Sequence, residues 1–169
     1  MGQSSNEAKT VDTFVEVAAS SEKSLIAGMM QPYLHELSPF TGQHPVGNGR
    51  YQYPYLELYW HEQSRHPLVI RSGKMVVGFA LVREVKGGTT MAEFFIKPDH
   101  RKQGHGRAAS HAIFRMFPGK WAVRQQLMNS DAQTFWRRVI SEIDSKYGER
   151  IETTKDGRSG TVQRLNVEG

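Results

Sequence analysis

The sequence of 169 residues contains no cysteine. A protein without thiols has no disulfide framework, no thiolate metal site and no cysteine nucleophile, and a reducing compartment is its natural environment. The sequence also lacks any run of about 18 apolar residues, the length that a membrane-spanning helix requires. We therefore expect a cytoplasmic protein with no membrane partner.

Extremes of composition are absent as well. Hydrophobic residues make up 38% and charged residues 23% of the chain, which is ordinary for a globular protein. A chain of this length fits one domain with its own core. We expect a flexible polar tail over residues 1–10 and a single domain over residues 11–169.

The net charge is moderately positive, +5 with histidine neutral. A positive balance is compatible with a polyanionic partner, either a nucleic acid or a phosphate-rich cofactor. Basic residues are scattered along the chain and are densest at residues 101–107. The phosphates of a cofactor explain one local cluster more economically, so we expect no nucleic-acid partner.

The first half of the chain predicts a strand, a helix and a meander. Alternation predicts a strand at residues 13–18, and apolar residues at helical spacing over residues 25–37 predict a helix that Pro32 should kink or split. Residues 38–54, dense in glycine and proline, predict a long loop. Residues 66–96 predict three successive antiparallel strands.

The second half continues the mixed pattern. Helices are predicted at residues 104–117 and 132–143, the second with apolar residues at offsets of 0, 3, 4, 7, 8 and 11. Strands are predicted at residues 120–125, 147–153 and 161–167. Several strands with a few helices indicate an α/β (α+β) fold with a mixed, partly antiparallel sheet.

The segment IKPDHRKQGHGR, which begins at Ile96, is the most informative part of the sequence. A strand ends there, a tight turn follows, and cations precede Gly104 and Gly106 at the start of a helix. A helix start exposes unpaired backbone N–H groups and the positive end of the helix dipole, which favour an anion. Glycines let a phosphate approach those amides closely. The segment therefore predicts a pyrophosphate site.

Two better-known phosphate loops do not match this segment. A Walker A loop requires Gly-x-x-x-x-Gly-Lys-Ser/Thr, which is not present here. A dinucleotide fingerprint places a third glycine where this chain has Ala109, and it opens a βαβ unit rather than following a meander. NAD binding is therefore not expected.

Residues 101–106, RKQGHG, fit the pattern Arg/Gln-x-x-Gly-x-Gly/Ala and resemble the acetyl-CoA motif of the GCN5-related N-acetyltransferase (GNAT) superfamily. Residues 129–136, NSDAQTFW, resemble the family's Asn-x-x-Ala-x-x-Phe-Tyr helix. Residues 92–123 are also similar to a bacterial subgroup of uncharacterised predicted acetyltransferases. The resemblance covers residues 68–140 and implies a twisted, mostly antiparallel sheet of about six or seven strands, with about four helices and a splay between the fourth and fifth strands.

The resemblance implies acetyl-CoA as the acyl donor and no metal. Strand backbone would pair with the pantetheine arm as with an added strand, and loop amides would hold the pyrophosphate. The following helix would contribute two further contacts. The implied cofactor-binding residues are Phe94, Phe95, Ile96, Arg101, Lys102, Gln103, Gly104, His105, Gly106, Arg107, Asn129 and Phe135.

Acyl transfer to an amine requires a base for the amine and benefits from an acid for the thiolate. Glu93 is the candidate base, since relatives often carry a carboxylate on this strand; the alternative is an exposed carboxylate that points away. Relatives commonly have an acidic tyrosine where this chain has Trp136, which cannot usefully transfer a proton and can instead be core. Tyr147 or a tyrosine from residues 51–59 is the candidate acid, unless the thiolate leaves unassisted.

An acceptor pocket is expected around the aromatic residues 51–60. Glu36 and Glu57 would attract an ammonium group and Tyr59 would line the pocket; the alternative is that the rings pack into the core. The two histidines of HEQSRH are five residues apart and would point about 140° apart on a helix, so no metal site is expected.

The sequence thus predicts an N-acetyltransferase that moves an acetyl group from acetyl-CoA to a primary amine of a small molecule or peptide. Direct transfer in a ternary complex is expected, because no cysteine can carry an acyl intermediate. The alternatives are a non-catalytic acyl-CoA-binding regulatory module and, less favoured, a basic nucleic-acid-binding domain. The acceptor, the acyl length and the oligomeric state, a homodimer included, stay open.

Overall fold

The structure, a computed structural model, describes residues 12–169, and the tail expected at residues 1–10 lies outside them. The described residues form seven strands: β1 (Thr13–Val17), β2 (Arg65–Ser72), β3 (Met75–Val85), β4 (Gly88–Ile96), β5 (Gly119–Gln126), β6 (Gly148–Thr153) and β7 (Ser159–Val167). They also form three α-helices: α1 (Lys23–Thr41), α2 (His105–Met116) and α3 (Ser130–Ile143). Short 3-10 helices lie at Ser20–Glu22, Leu56–Trp60 and Pro98–His100.

All seven strands belong to one sheet with the order β1-β2-β3-β4-β5-β7-β6. Neighbouring strands are antiparallel except β4 and β5, which are parallel. The meander β2-β3-β4 and the mostly antiparallel mixed sheet confirm the predicted fold class. None of the helices in the described part of the chain is long and apolar enough to span a bilayer.

Helix α1 continues past Pro32 and Pro39, so Pro32, which was predicted to kink or split the helix, does not split it. Proline has no N–H, and Pro39 leaves the carbonyl of His35 without its usual amide donor. The Ser38 hydroxyl donates to that carbonyl at 2.6 Å instead. The helix is also held against the sheet by one buried face, formed by Ile26, Met29, Met30 and Leu34.

Strand β4 contains a β-bulge. Leu81 of β3 pairs with Glu93 and Val82 pairs with Met91, so Ala92 has no partner on β3. An extra residue interrupts the alternation of side chains between the two faces of the sheet. Glu93 consequently shares the face of Leu81, which packs in the same cluster as the buried residues of α1.

Two apolar clusters cover the two faces of the sheet, and their burial is the main source of stability. The cluster on the α1 side contains Ala18, Ile26, Met29, Met30, Leu34, Tyr59, Val69, Phe79, Leu81 and Phe95. The cluster on the α2 and α3 side contains Leu68, Ala80, Val82, Met91, Ile113, Phe114, Trp121, Val123, Trp136, Val139, Ile140, Leu165 and Val167. Trp136, only 6% exposed, is therefore a core residue.

The parallel strands β4 and β5 separate after a short contact. They pair only where Thr89, Thr90 and Met91 lie opposite residues 121–123. Beyond that point β5 continues beside β7, whereas no described strand lies on the β5 side of residues 92–96 of β4. This gap confirms the predicted splay, and it begins at the bulge residue Ala92, because a bulge bends and twists its strand.

Candidate active site

A half-buried carboxylate lies where β4 leaves β5. Glu93 accepts a hydrogen bond from the Tyr33 hydroxyl of α1 at 2.5 Å and another from the Tyr53 hydroxyl at 3.0 Å. Glu93 directly follows the bulge residue Ala92, so it stands at the point where the gap begins and faces α1. The fold therefore places the predicted base at the start of the gap, on the α1 face of the sheet, with both carboxylate oxygens bonded.

The surroundings change the acid–base behaviour of these three groups. Burial raises the pKa of Glu93, and the hydrogen bonds from Tyr33 and Tyr53 oppose that rise without cancelling it. Burial, and next the charge of Glu93, raises the pKa of both phenols. The two phenols therefore stay protonated at neutral pH, and the Glu93 carboxylate is a stronger base than an exposed glutamate.

The two tyrosines are held by different parts of the structure. Tyr33 lies on the buried side of α1, where its ring packs 5.6 Å from the Phe95 ring. Tyr53 follows a segment that Gln31 ties to the same helix. The Gln31 side chain donates to the Tyr51 carbonyl at 2.9 Å and accepts from the Tyr51 amide at 2.8 Å. Helix α1 therefore positions both hydrogen-bond donors of the carboxylate.

The loop between β4 and α2 presents a row of unbonded backbone amides. Within the described chain, the amides of residues 102–107 donate to no protein acceptor, and these six amides form the row. The amides on either side of the row, those of Arg101 and Ala108, each donate to a backbone carbonyl. The turn depends on left-handed backbone at Lys102, with φ 58°, and at Gly104, with φ 89°. Glycine adopts this conformation at little cost.

Gly106 leaves no room for a side chain. A Cβ atom there would lie 3.1 Å from Cε2 of Phe135 and 3.7 Å from Cγ1 of Ile96. Phe135 in turn stacks on Phe94 with the ring centroids 5.8 Å apart. The glycine therefore lets the start of α2 pack against both α3 and the end of β4, which keeps the amide row beside the gap.

Arg101 joins the loop to α1. Its Nη2 donates to both carboxylate oxygens of Glu36, at 2.9 and 2.8 Å, and its Nε donates to the Ile96 carbonyl at 2.8 Å. The guanidinium also lies over the Phe95 ring, 5.5 Å from the centroid. Glu36, which was expected to attract an ammonium group, is thus paired with Arg101.

The remaining loop residues differ in what their side chains do. Arg107 pairs with Glu142 of α3 through its Nε at 2.7 Å. Lys102 is exposed and forms no ion pair with any described residue. The Gln103 side chain donates to a loop carbonyl, and the buried His105 ring shares a hydrogen bond with β1. Lys102 and the backbone amides are therefore what the loop offers to an anion.

Asn129 acts as the N-cap of α3. Its Oδ1 accepts a hydrogen bond from the Ala132 amide at 3.2 Å, as capping residues do. No described residue accepts from its side-chain nitrogen, so this group can still donate to a ligand near the end of β5.

Three further expected residues do not converge with Glu36. Glu57 is exposed and pairs with Lys23 at 2.6 Å. Tyr59 is buried in the α1-side cluster, and its hydroxyl has no hydrogen-bond partner in the described chain. Tyr147 packs against the cluster on the opposite face of the sheet from Glu93. The structure brings together Glu93 and Tyr53, from the tyrosine-rich segment, rather than Glu93 and Tyr147.

Sequence reasoning did not single out Tyr33, because the residue fits the apolar stripe of an amphipathic helix. The signal that could have found it is chemical: a tyrosine on a buried stripe requires a partner for its hydroxyl. The partner lies 60 residues away in sequence. A local pattern does not identify such a pair.

A cavity of about 490 Å³ opens between α1 and the end of β4. Its lining is Ser24, Leu25, Gly28, Met29, Pro32, Phe95, Lys97, Pro98 and Asp99. The cavity thus lies beside the end of β4 and the start of the loop that carries the amide row. The described residues contain no cluster of three or more side chains suited to a metal.

Comparison with solved structures supports the same architecture. The chain superposes on spermidine N-acetyltransferase from Vibrio cholerae, solved with CoA and spermine, with a TM-score of 0.64 and 12% identity, over 92% of this chain and 96% of that one. It superposes on an acetyltransferase from Thermus thermophilus with a TM-score of 0.60 and 15% identity, over 93% and 98% of the two chains.

Sequence comparison adds a partial relative and a family. Mycothiol acetyltransferase from Nocardiopsis dassonvillei is 42% identical over 52 residues, which is 31% of this chain and only 16% of that protein. The family model described as "Acetyltransferase (GNAT) family" matches residues 31–139. This match spans both Tyr33 and Glu93, the gap and the whole amide row. The chain therefore belongs to the acetyltransferase (GNAT) family.

Proposed function

We propose that this protein is an acetyl-CoA-dependent N-acetyltransferase that acetylates a primary amine of a small molecule or peptide by direct transfer in a ternary complex. One observation carries the proposal. Glu93, bonded by two phenols, stands at the opening between β4 and β5, on the strand that leads into the row of unbonded amides.

Acetyl-CoA, when bound, supplies the acetyl group as a reactive thioester. The amides of residues 102–107 would hold its diphosphate. Arg101 and Arg107 are already paired with carboxylates, so the exposed Lys102 would supply the positive charge. The free edge at Phe94, Phe95 and Ile96 offers backbone partners to the pantetheine arm. The cap residue Asn129 and the ring of Phe135 complete the contacts from α3.

Glu93 acts as the general base that takes a proton from the amine. Its raised pKa makes the carboxylate a better proton acceptor than an exposed glutamate, and it stands at the start of the gap, where the thioester would be held. Tyr33 and Tyr53 orient it. Because both phenols have raised pKa values, they serve as hydrogen-bond donors rather than as acids at neutral pH.

The departing thiolate receives no proton from this chain in our proposal. Trp136 is in the core and its indole does not transfer protons usefully. Tyr147, the acid expected from the sequence, packs on the face of the sheet opposite Glu93. A thiol with a pKa of about 8.5 to 10 leaves without assistance, so solvent suffices.

The proposal is tested by calorimetry with acetyl-CoA and by thiol release with a panel of primary amines. We expect binding, and release that requires an amine. Binding without release on any acceptor would instead support a non-catalytic acyl-CoA-binding module, the alternative that the core position of Trp136 favours. Strongly salt-dependent DNA or RNA affinity that coenzyme A does not displace would support a nucleic-acid-binding domain.

A further inference from the structure

Within residues 12–169, no helix covers one half of the α1-side face of the sheet. Helix α1 packs on β3 and the 3-10 helix Leu56–Trp60 packs on β2, whereas α3 packs on β5 and β7 from the other face. The exposure of β7 alternates accordingly: Leu165 and Val167 are buried towards α3, and Arg164 and Asn166 are exposed on the open side. The open half therefore borders the gap on the side of Glu93.

Arginines are concentrated on this open half. Strand pairing places one residue of each of five strands in a row across the face: Arg65, Arg83, Thr90, Ala122 and Arg164. Arg124 lies two positions along β5 from Ala122, and Arg150 pairs with Val162 on β7. The two residues between Arg83 and Arg164 in this row, Thr90 and Ala122, have small side chains. Arg83, Arg124, Arg150 and Arg164 are called the basic face below.

Carboxylates compensate this charge only in part. Arg164 pairs with Glu152 at 2.6 and 2.9 Å, and Arg124 donates to a backbone carbonyl. Arg83 and Arg150 form no ion pair with any described residue. The pKa of Glu152 is lowered by Arg164 first and by Arg124 and Arg150 as well, so three guanidinium groups surround one carboxylate.

Arg83 pairs across the sheet with Arg65, whose guanidinium lies 5.3 Å from the centroid of the Tyr59 ring. Burial raises the pKa of the Tyr59 phenol, and the Arg65 and Arg83 guanidinium groups oppose that rise. Arg65 is paired with Glu62 at 2.6 Å, whereas the half-buried Arg83 forms no ion pair within residues 12–169. A half-buried guanidinium without a counter-ion is a strong site for an oxyanion, which it binds through two parallel N–H groups.

Arg83 is too far from the amide row to serve the diphosphate. At about 3.3 Å per residue, Thr90, its partner on β4, lies about 10 Å from Glu93 along β4 and about 20 Å from Ile96, where the phosphate loop begins. Glu93 therefore lies between the amide row on the donor side and Arg83 on the acceptor side. Arg124 follows the pair of Val123 with Met91, so it lies across the gap at the level of Ala92.

We propose that the basic face binds an oxyanion of the acceptor, so that the substrates are primary amines that also carry a carboxylate or a phosphate. The inference rests on the proposed function and adds the substrate class. The amine is presented to Glu93 while the anionic group lies against Arg83, which forms no ion pair with any described residue. A polyamine without an anionic group would meet uncompensated positive charge on this face and is a poor substrate.

The test compares an anionic amine with a neutral relative in two pairs: 4-aminobutanoate with 4-aminobutanamide, and 2-aminoethyl phosphate with ethanolamine. The first readout is thermal stabilisation by each compound with coenzyme A present, and the second is kcat/KM for acetylation. We expect the anionic member of at least one pair to be favoured about tenfold or more, since a charge-assisted hydrogen bond contributes on that scale. The two pairs distinguish a carboxylate from a phosphate.

A variant of Arg83 tests whether this residue is responsible. In Arg83→Gln the preference for the anionic member falls towards unity, while the Kd for acetyl-CoA is unchanged. Lys74→Gln removes the same charge from the exposed turn between β2 and β3 and keeps the preference. A preference that survives the Arg83 substitution would overturn the proposal.

The two readouts separate failure of this inference from failure of the proposed function. Equal acetylation of anionic and neutral amines overturns the inference and leaves the acetyltransferase intact. Selective stabilisation by anionic amines without acetylation supports the anion site and removes the enzyme assignment. Neither stabilisation nor acetylation, with acetyl-CoA bound, overturns both.

Discussion

The Tyr33 hydroxyl donates to the Glu93 carboxylate at 2.5 Å and joins the middle of α1 to the bulged part of β4. The same helix holds Tyr53 in place through the two hydrogen bonds between Gln31 and Tyr51. Helix α1 thus contributes more than core packing, because it sets the hydrogen bonding of the proposed base. Changes in this helix should therefore be visible in the pH dependence of the reaction.

Glu93→Gln removes the base and keeps the shape of the side chain. We expect kcat to fall by about 10²- to 10⁴-fold, the usual contribution of general base catalysis. The Kd for acetyl-CoA should be unchanged, because residue 93 lies outside the amide row. Steady-state thiol release and calorimetry measure the two quantities, with the exposed Glu168→Gln as the control. Undiminished turnover across the pH range would remove Glu93 from the mechanism.

Tyr53→Phe should move the acid limb of the pH–rate profile to higher pH. The phenol hydrogen bond lowers the pKa of Glu93, so its removal lets burial raise that pKa further. The base must be ionised to accept a proton, and the rate therefore begins to fall at a higher pH. Tyr51→Phe, whose hydroxyl instead bonds His35, is the control. A shift to lower pH would contradict this assignment.

Glu93→Gln should also stabilise the folded protein at neutral pH. A carboxyl group whose folded pKa is raised favours the native state below its unfolded pKa, and this contribution is lost as the pH rises through the folded pKa. The free energy of unfolding of the variant should exceed that of the wild type at pH 7, and the difference should shrink at pH 4. Urea titrations at both pH values measure it; a variant less stable at pH 7 argues against a desolvated carboxylate.

Gly104→Ala should weaken acetyl-CoA binding. Alanine at φ 89° costs about 1–2 kcal/mol, and relief of that strain moves the adjacent amides. Loss of one or two charge-assisted hydrogen bonds predicts a Kd about 10- to 100-fold higher. Gly157→Ala, with φ 85° in the turn between β6 and β7, is a matched control. Both variants should lose similar stability, and unchanged affinity in Gly104→Ala would contradict the amide row.

Tyr147→Phe distinguishes protonation by the protein from protonation by solvent. If solvent protonates the thiolate, kcat at saturating substrates stays within about twofold of wild type, whereas loss of a general acid costs about 10²-fold or more. The measurement is kcat as a function of pH. Loss of the basic limb of the profile in this variant would restore Tyr147 as the acid.

The phosphate loop could be predicted from the sequence because its chemistry is local. A helix start exposes its amides whatever lies elsewhere in the chain, and the spacing of Gly104 and Gly106 is visible in the residues themselves. The splay between the fourth and fifth strands followed from the family resemblance that the same motif supports. Pro32, by contrast, was predicted to kink or split a helix that continues past it, because the buried face of that helix packs on the sheet.

The sequence by itself determined the strand, turn and helix of the phosphate loop, the absence of a cysteine intermediate and the order of the elements. Only the tertiary structure decided that Glu93 faces α1, that Tyr33 and Tyr53 bond it, and that Arg101 pairs with Glu36. The reason is physical: helix ends and turns depend on neighbouring residues, whereas a bulge, a strand register and a cross-sheet hydrogen bond depend on segments that meet only when the whole core is packed.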